Sequence, residues 1–194
     1  MIHVDGSLLE GGGQILRTAC ALAVIKNEPV HVFNIRAKRP NPGLRTQHLR
    51  ALLAIAELCN GKIEGAKKGS KEIFFYPGDE YKDEIRIPVE TAASTGLILQ
   101  ALMLAVLKSR KKIKINIIGG STFSKWSPPL PYIQSVLLPI LRNSGYEGEI
   151  NIIKHGFYPS GGARVVFIFN EAKLSKIRIT SIGSCLLYTS DAAD

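Results

Sequence analysis

With 194 residues, 45% of them hydrophobic and 21% charged, the chain has enough apolar material for one sizeable core or two small modules sharing one. That balance excludes a disordered polyelectrolyte, and the formal net charge of +9 favours polyanionic partners such as nucleic acid or phosphorylated ligands. The longest apolar run, residues 97–107, is broken by Gln100 and is too short to cross a membrane; the opening MIHVDGS has no basic leader before an apolar stretch, so neither a membrane location nor export is expected.

Taken in chain order, residues 2–4 predict a short strand. Residues 12–25 predict a helix, with Ile15, Leu16, Ala19, Leu22 and Ala23 at helical spacing. Residues 30–35 predict a strand, and residues 44–58 an amphipathic helix stopped by Asn60-Gly61. Two strands follow, at 62–64 and 72–76, closed by Pro77-Gly78. The order then recurs: strand 84–89, helix 91–107, strand 113–118, helix 131–143, strands 150–154 and 164–169. The result is β-α-β-α-β-β written twice. Gly13-Gln14-Ile15-Leu16-Arg17 aligns with Gly96-Leu97-Ile98-Leu99-Gln100, Asn34-Ile35 with Asn116-Ile117, Gly61 with Gly145, and Glu64-Gly65 with Glu147-Gly148, all within one residue of an offset of about 83. The expected fold class is α+β, with a first module at 1–83, a second at 84–170 and the start of a third at 171–184, where residues 174–179 predict a strand. Residues 185–194, CLLYTSDAAD, resemble translated adapter sequence more than protein, with a natural polar tail as the other reading.

Cys20, Cys59 and Cys185 are too few and scattered for a disulfide framework. They are expected to be small buried thiols in a reducing cytoplasm, and no Cys/His pair has zinc spacing. Lys108, Lys111 and Lys112 are expected to solvate a loop.

Four segments carry possible chemistry. In DGSLLEGGGQILR, three glycines lead into a helix, whose first N–H groups suit phosphate. Glu10, Gln14 and Arg17 cluster there, Gln14 and Arg17 sharing a helix face. A flexible loop with a helix cap reads equally from the same residues, and no Gly-Lys-Ser/Thr follows to make a Walker loop. In NIRAKRPNPGLRTQH, Arg36, Lys38, Arg39 and Arg45 fall on a loop stiffened by prolines, with Gln47 and His48 early on the next helix. Guanidinium forks match phosphate oxygens, although a solvated basic loop would look the same. Gln100 interrupts an apolar helix, as either a satisfied core amide or a ligand contact. In GGSTFSKWSPP, Trp126 either stacks on a base or packs. In HGFYPSGG, read as a tight hairpin, His155 either touches ligand or holds the turn.

These segments, together with the GSKEIFFYPG turn, TAASTGLILQ, GGSTFSKWSPPLPY and HGFYPSGGA, resemble the RNA 3'-terminal phosphate cyclase family in order from residue 5 to about 163. The resemblance implies repeated β-α-β-α-β-β modules of the cyclase and enolpyruvyl transferase-like kind, with a small inserted domain in the later part. It implies a ligase that uses ATP and a divalent metal, normally Mg2+, to convert RNA 3'-phosphate ends to 2',3'-cyclic phosphates. In that chemistry a histidine near the C-terminus takes AMP from ATP, AMP moves to the RNA 3'-phosphate, and the 2'-hydroxyl expels it. By motif, Glu10 and Gln100 look like nucleotide contacts, while Gln14, Arg17, Arg36, Arg39, Gln47 and His48 look like the residues that hold phosphate and the RNA end. Leu9, Glu90, Ala93 and Ala163 stand where the family has glycine, and Pro131 where it has aspartate. None of His3, His31, His48 and His155 fits the nucleophile motif, so the chain as written is expected to be catalytically inactive. Two rivals share parts of the pattern: a non-catalytic cyclase-like protein of ribosome assembly, and an enolpyruvyl transferase, which lacks the Arg-Ala-Xaa-Arg and Gln-His cluster.

Overall fold

The computed structural model describes residues 1–180 and contains two copies of one sheet topology. In the first, β1 (Ile2–Asp5), α1 (Gly13–Lys26), β2 (Val30–Phe33), α2 (Thr46–Leu58), β3 (Lys62–Glu64) and β4 (Ile73–Tyr76) form a sheet ordered β1-β2-β4-β3. In the second, β5 (Glu84–Ser94), α3 (Thr95–Ala105), β6 (Ile113–Ser121), β7 (Gly148–Lys154) and β8 (Arg164–Phe169) repeat the order as β5-β6-β8-β7. The crossover of the second copy is α4 (Leu130–Tyr132), a π turn (Ile133–Leu137) and α5 (Leu138–Arg142). In both sheets the first two strands are parallel and the rest antiparallel. The α+β class and the tandem modules therefore stand as read.

The core lies where the helices meet the inner faces of the sheets. Alternation does this in the strands: in β4, Ile73 and Phe75 are buried while Phe74 and Tyr76 lie outward. α3 is apolar on nearly every side, so it is buried on nearly every side and packs against both α1 and α2. Cys20 and Cys59 are free buried thiols, as expected; Cys185 and the segment 185–194 lie outside the described residues.

Three boundaries differ from expectation. Residues 91–94 continue β5 rather than starting a helix, because Ser94 pairs with Ser121 after a bulge and then caps α3. The helix expected at 131–143 is continuous but contains the π turn. Pro139 has no N–H to donate, and the wider turn preceding it accommodates the ring. Residues 174–179 form no strand. Among the described residues they have no neighbouring strand edge to bond, and Leu174 instead borders a cavity against the helices.

Four of the residues noted as departures are accommodated by this fold. Glu90 accepts a 2.6 Å hydrogen bond from Arg50, tying β5 to α2 across the two modules. Pro131 sits in the first turn of α4, where no intrahelical N–H is needed. Ala163 is buried, and its backbone exchanges bonds with Gly119 and Gly120. Ala93 packs partly buried against the core.

Candidate anion-binding site

The parallel strands β1 and β2 end side by side, and the chain leaves each through a loop into a helix. A ligand crevice belongs at such a place, outside the carboxyl ends of parallel strands. A cavity of about 610 Å³ lies there, lined by Glu10, Gly12, Gly13, Gln14, Arg17, Arg36, Arg39, Arg45, Gln47, His48, Leu97 and Trp126. Seven of the eight residues that the family resemblance pointed to thus converge. The exception is Gln100, half-buried on α3, which lines a neighbouring cavity of about 280 Å³ with Met103, Leu104 and Leu107; Gln14 borders both cavities.

The floor of the crevice is the start of α1. Its N-cap is Gly12, extended at φ −80° and ψ 166°, and no side chain caps the helix. The first N–H groups are thus left for an outside acceptor. A glycine is required next to it: a Cβ on Gly13 would overlap the His48 imidazole, so that position lets α2 present His48 against the mouth of α1.

His48 is 3% exposed. The backbone N–H of Arg45 donates to its Nδ1 at 3.2 Å, which leaves the proton of a neutral ring on Nε2. Burial, and after it the charges of Arg17, Arg36 and Arg45, push the imidazole down to about 3. His48 is therefore a neutral N–H donor at physiological pH, with Gln47 Nε2 3.5 Å from its Nε2.

Arg17 is 5% exposed and donates to Gln14 Oε1 at 2.9 Å, while Gln14 in turn donates to Thr18 at 2.8 Å. Desolvation lowers the guanidinium to about 10, still charged at neutral pH. Among the described residues, Arg17 has no carboxylate within ion-pair distance; inside the cavity, the ion pair is Arg39 with Glu10 at 3.3 Å. A buried cation without an anion is unfavourable on its own, and it fits an anion supplied from solution. Arg36 is more structural than the sequence implied. It sits at φ 54°, and its Nη1 donates to the carbonyls of Asn41 and Gly43 at 2.7 and 3.1 Å, bracing the loop that carries Arg39. Burial, then Arg45 and Arg39, lower its pKa. Four guanidiniums against one exposed carboxylate leave the cavity strongly positive.

Arg45 and Trp126, noted in the sequence as a member of the basic loop and as a ring that could stack or pack, also line the cavity, and Leu97 is the lining residue that sequence reasoning did not single out. Trp126 is 90% exposed, so its ring is not packed into the core. His155 is exposed and bonded through Nδ1 to Thr122 Oγ1 at 3.0 Å, in the hairpin and away from the cavity lining. Leu9, in place of a glycine, is held at φ 51°, a region that favours glycine, and is 91% exposed.

The family model described as RNA 3'-terminal phosphate cyclase matches residues 8–187. Proteins named RNA 3'-terminal phosphate cyclase from Pyrococcus furiosus, Thermococcus sibiricus and Methanosarcina acetivorans are 51%, 47% and 43% identical over 165, 163 and 174 residues. These alignments take in 85%, 84% and 90% of this chain but 48%, 46% and 49% of the relatives, so the chain spans about half the length of the curated relatives it matches. A solved EPSP synthase from Acinetobacter baumannii aligns over 92% of this chain and 49% of that one at 9% identity and a TM-score of 0.40, a slight likeness.

Proposed function

The chain belongs to the RNA 3'-terminal phosphate cyclase family, and from that premise we propose that it forms the phosphate-gripping part of an ATP-dependent enzyme that closes an RNA 3'-phosphate into a 2',3'-cyclic phosphate. The observation that carries this reading is Arg17, buried, charged and without a carboxylate among the described residues, beside an uncapped helix start and a neutral His48.

Each part has a task. The free N–H groups of α1 and the guanidiniums of Arg17, Arg39 and Arg45 hold the phosphate oxygens. The Nε2–H of His48 donates one more hydrogen bond. ATP supplies the activated adenylyl group, which leaves diphosphate behind and passes through enzyme-bound AMP to the RNA phosphate. When the 2'-oxygen then bonds to the terminal phosphorus and the bond to AMP breaks, charge spreads over the remaining oxygens. Fixed donors aimed there stabilise it without reorganising. Gln14 borders both cavities, which supports placing the nucleotide between Glu10 at the lip and Gln100 in the apolar neighbour.

Magnesium finds no donor set of its own here. Among the described residues no three His, Cys, Asp or Glu side chains group to hold an ion, and the cavity carboxylate, Glu10, is already paired with Arg39. The four histidines are equally unsuited to carry AMP: His3 and His31 lie on the sheet of the first module, bonded to each other at 3.3 Å; the lone pair of His48 is engaged by Arg45; and His155 lies in the hairpin. No helix among the described residues is long and apolar enough to cross a membrane, and the free buried thiols fit a cytoplasmic setting.

The test is to incubate a full-length version with labelled ATP and a 3'-phosphorylated RNA. Cyclic ends are expected. A full-length protein that binds RNA but makes neither an AMP adduct nor cyclic ends would instead be the non-catalytic, scaffold-type relative. The purified 194-residue chain is expected to form no AMP adduct, and an adduct would refute the reading of its histidines.

A further inference from the structure

Outside the basic cavity, the second module displays aromatic rings that the phosphate site does not use. Phe123, after β6, and Phe157, in the β7–β8 hairpin, stack with centroids 5.6 Å apart and planes 3° from parallel. His155 tilts against both, at 5.6 and 6.2 Å. Phe123 and Phe157 are 42% and 57% exposed, Tyr158 85% and Trp126 90%. Rings normally go inside, and a group of them held outside marks a surface that meets something.

These rings stand on a rigid base. Thr122 N–H donates to the Gly156 carbonyl at 2.9 Å, and Ser121 Oγ donates to the same oxygen at 3.2 Å. Gly156 lies so close to the Gly120 carbonyl that a Cβ would overlap it, so glycine sets the approach of the two loops. Phe157 and Gly161 exchange backbone hydrogen bonds at 3.2 and 2.6 Å. These bonds hold the backbone that carries Phe123 and Phe157 in place.

Charge points to the occupant. Neither residues 119–130 nor residues 152–165 contain an aspartate or glutamate, while Lys125 lies 5.4 Å from the Trp126 ring and Lys154 precedes His155. Trp126 also lines the basic cavity, so the aromatic loop adjoins the phosphate site. Aromatic faces with interspersed cations and no acids suit unpaired bases on a polyanionic backbone.

We propose that Phe123, Phe157 and Trp126 form a stacking platform for the single-stranded stretch of RNA that precedes the 3'-phosphate. Lys125 and Lys154 accompany its backbone. The inference rests on the RNA-end reading above and adds to it which part of the chain grips the strand upstream of its end. Stacking of this kind tolerates any base, so the platform favours length rather than sequence.

The chain has one tryptophan, so its emission reports Trp126 alone. Two- and eight-nucleotide oligouridylates, each ending in a 3'-phosphate, are titrated into the 194-residue protein at low salt. The longer oligomer is expected to bind at least about tenfold more tightly and to quench the emission. Phe157→Ala is expected to shrink that ratio below about threefold, and Phe157→Trp to restore it. Equal affinities in the parent overturn the platform, as does a Phe157→Ala ratio equal to the parent's. A patch that is instead covered by protein would show as self-association of the parent, relieved by Phe157→Ala with the ratio unmoved, and this too overturns it. If the length preference persists but 3'-phosphate and 3'-hydroxyl oligomers bind alike, the platform stands and the phosphate-site reading fails.

Discussion

The crossover from β2 to α2 and the crossover from β6 to α4 occupy the same address in two copies of one module, yet they carry opposite chemistry. The first is a guanidinium loop around a crevice. The second is a hydroxyl- and ring-bearing loop with an exposed indole. The loops before them differ in the same sense. α1 begins on glycine with no side chain over its first N–H groups, whereas α3 begins on Ser94, whose Oγ accepts from the Leu97 N–H at 3.2 Å. One helix start is left without a side-chain cap and the other is closed by its own chain. A shared fold thus fixes where chemistry can sit, and the side chains at a handful of loop positions decide what it is.

The strongest way to break that contrast is acid. In the unfolded chain His48 takes up a proton near pH 6.5, while in the fold it stays neutral down to about 3. Below pH 6.5 the unfolded state binds a proton that the folded state refuses, so stability falls as pH drops from about 6.5 toward 3, by up to about 1.4 kcal/mol per unit from this group. Urea unfolding at stepped pH should show a shallower fall for His48→Gln, and inorganic phosphate should blunt the fall in the parent. Identical slopes for parent and variant would remove His48 from the account.

Next in size, Arg39→Ala in a full-length enzyme should cut cyclisation at least about tenfold, or about 1.4 kcal/mol. Activity within twofold of the parent would assign Arg39 to solvent and its partner Glu10. Arg17→Met removes a buried charge that has no carboxylate beside it among the described residues. It should stabilise the ligand-free chain by about 1 kcal/mol and abolish the rise in Tm that phosphate gives the parent. A destabilised variant that still responds to phosphate would mean the guanidinium is structural. Ser94→Ala should cost somewhat less, about 0.5–1 kcal/mol, through the lost cap, and should leave the phosphate response alone. A changed response would mean that the closed helix start takes part in binding after all.

Most of the fold was legible because hydrophobic period is a local property. Strand alternation in β4 and helical spacing in α1 are written in consecutive residues. What was not legible depended on partners distant in sequence. Residues 91–94 contain two alanines and pass for helix, but pairing with Ser121 holds Ser94 in the sheet. Residues 174–179, expected as a strand, meet no strand edge among the described residues. In the site, seven residues converged because each lay beside a loop at the ends of β1 and β2, a position the predicted elements already implied. Gln100 was matched to Arg17 by repeat register. The two residues hold equivalent places in their modules yet border different cavities. The burial of Arg17 was nonetheless readable, since it shares the apolar stripe of Cys20, Ala21 and Val24.

In both modules the hairpin between the last two strands bonds to the crossover loop of the same module. Ile35 and Leu44 N–H donate to Lys71 and Ser70 carbonyls at 2.8 and 2.9 Å in the first, and Thr122 N–H donates to Gly156 in the second. Each loop is therefore anchored by a hairpin of its own unit. After a gene doubling, such a pair behaves as two cassettes: one can be rewritten, residue by residue, while the other keeps its original trade.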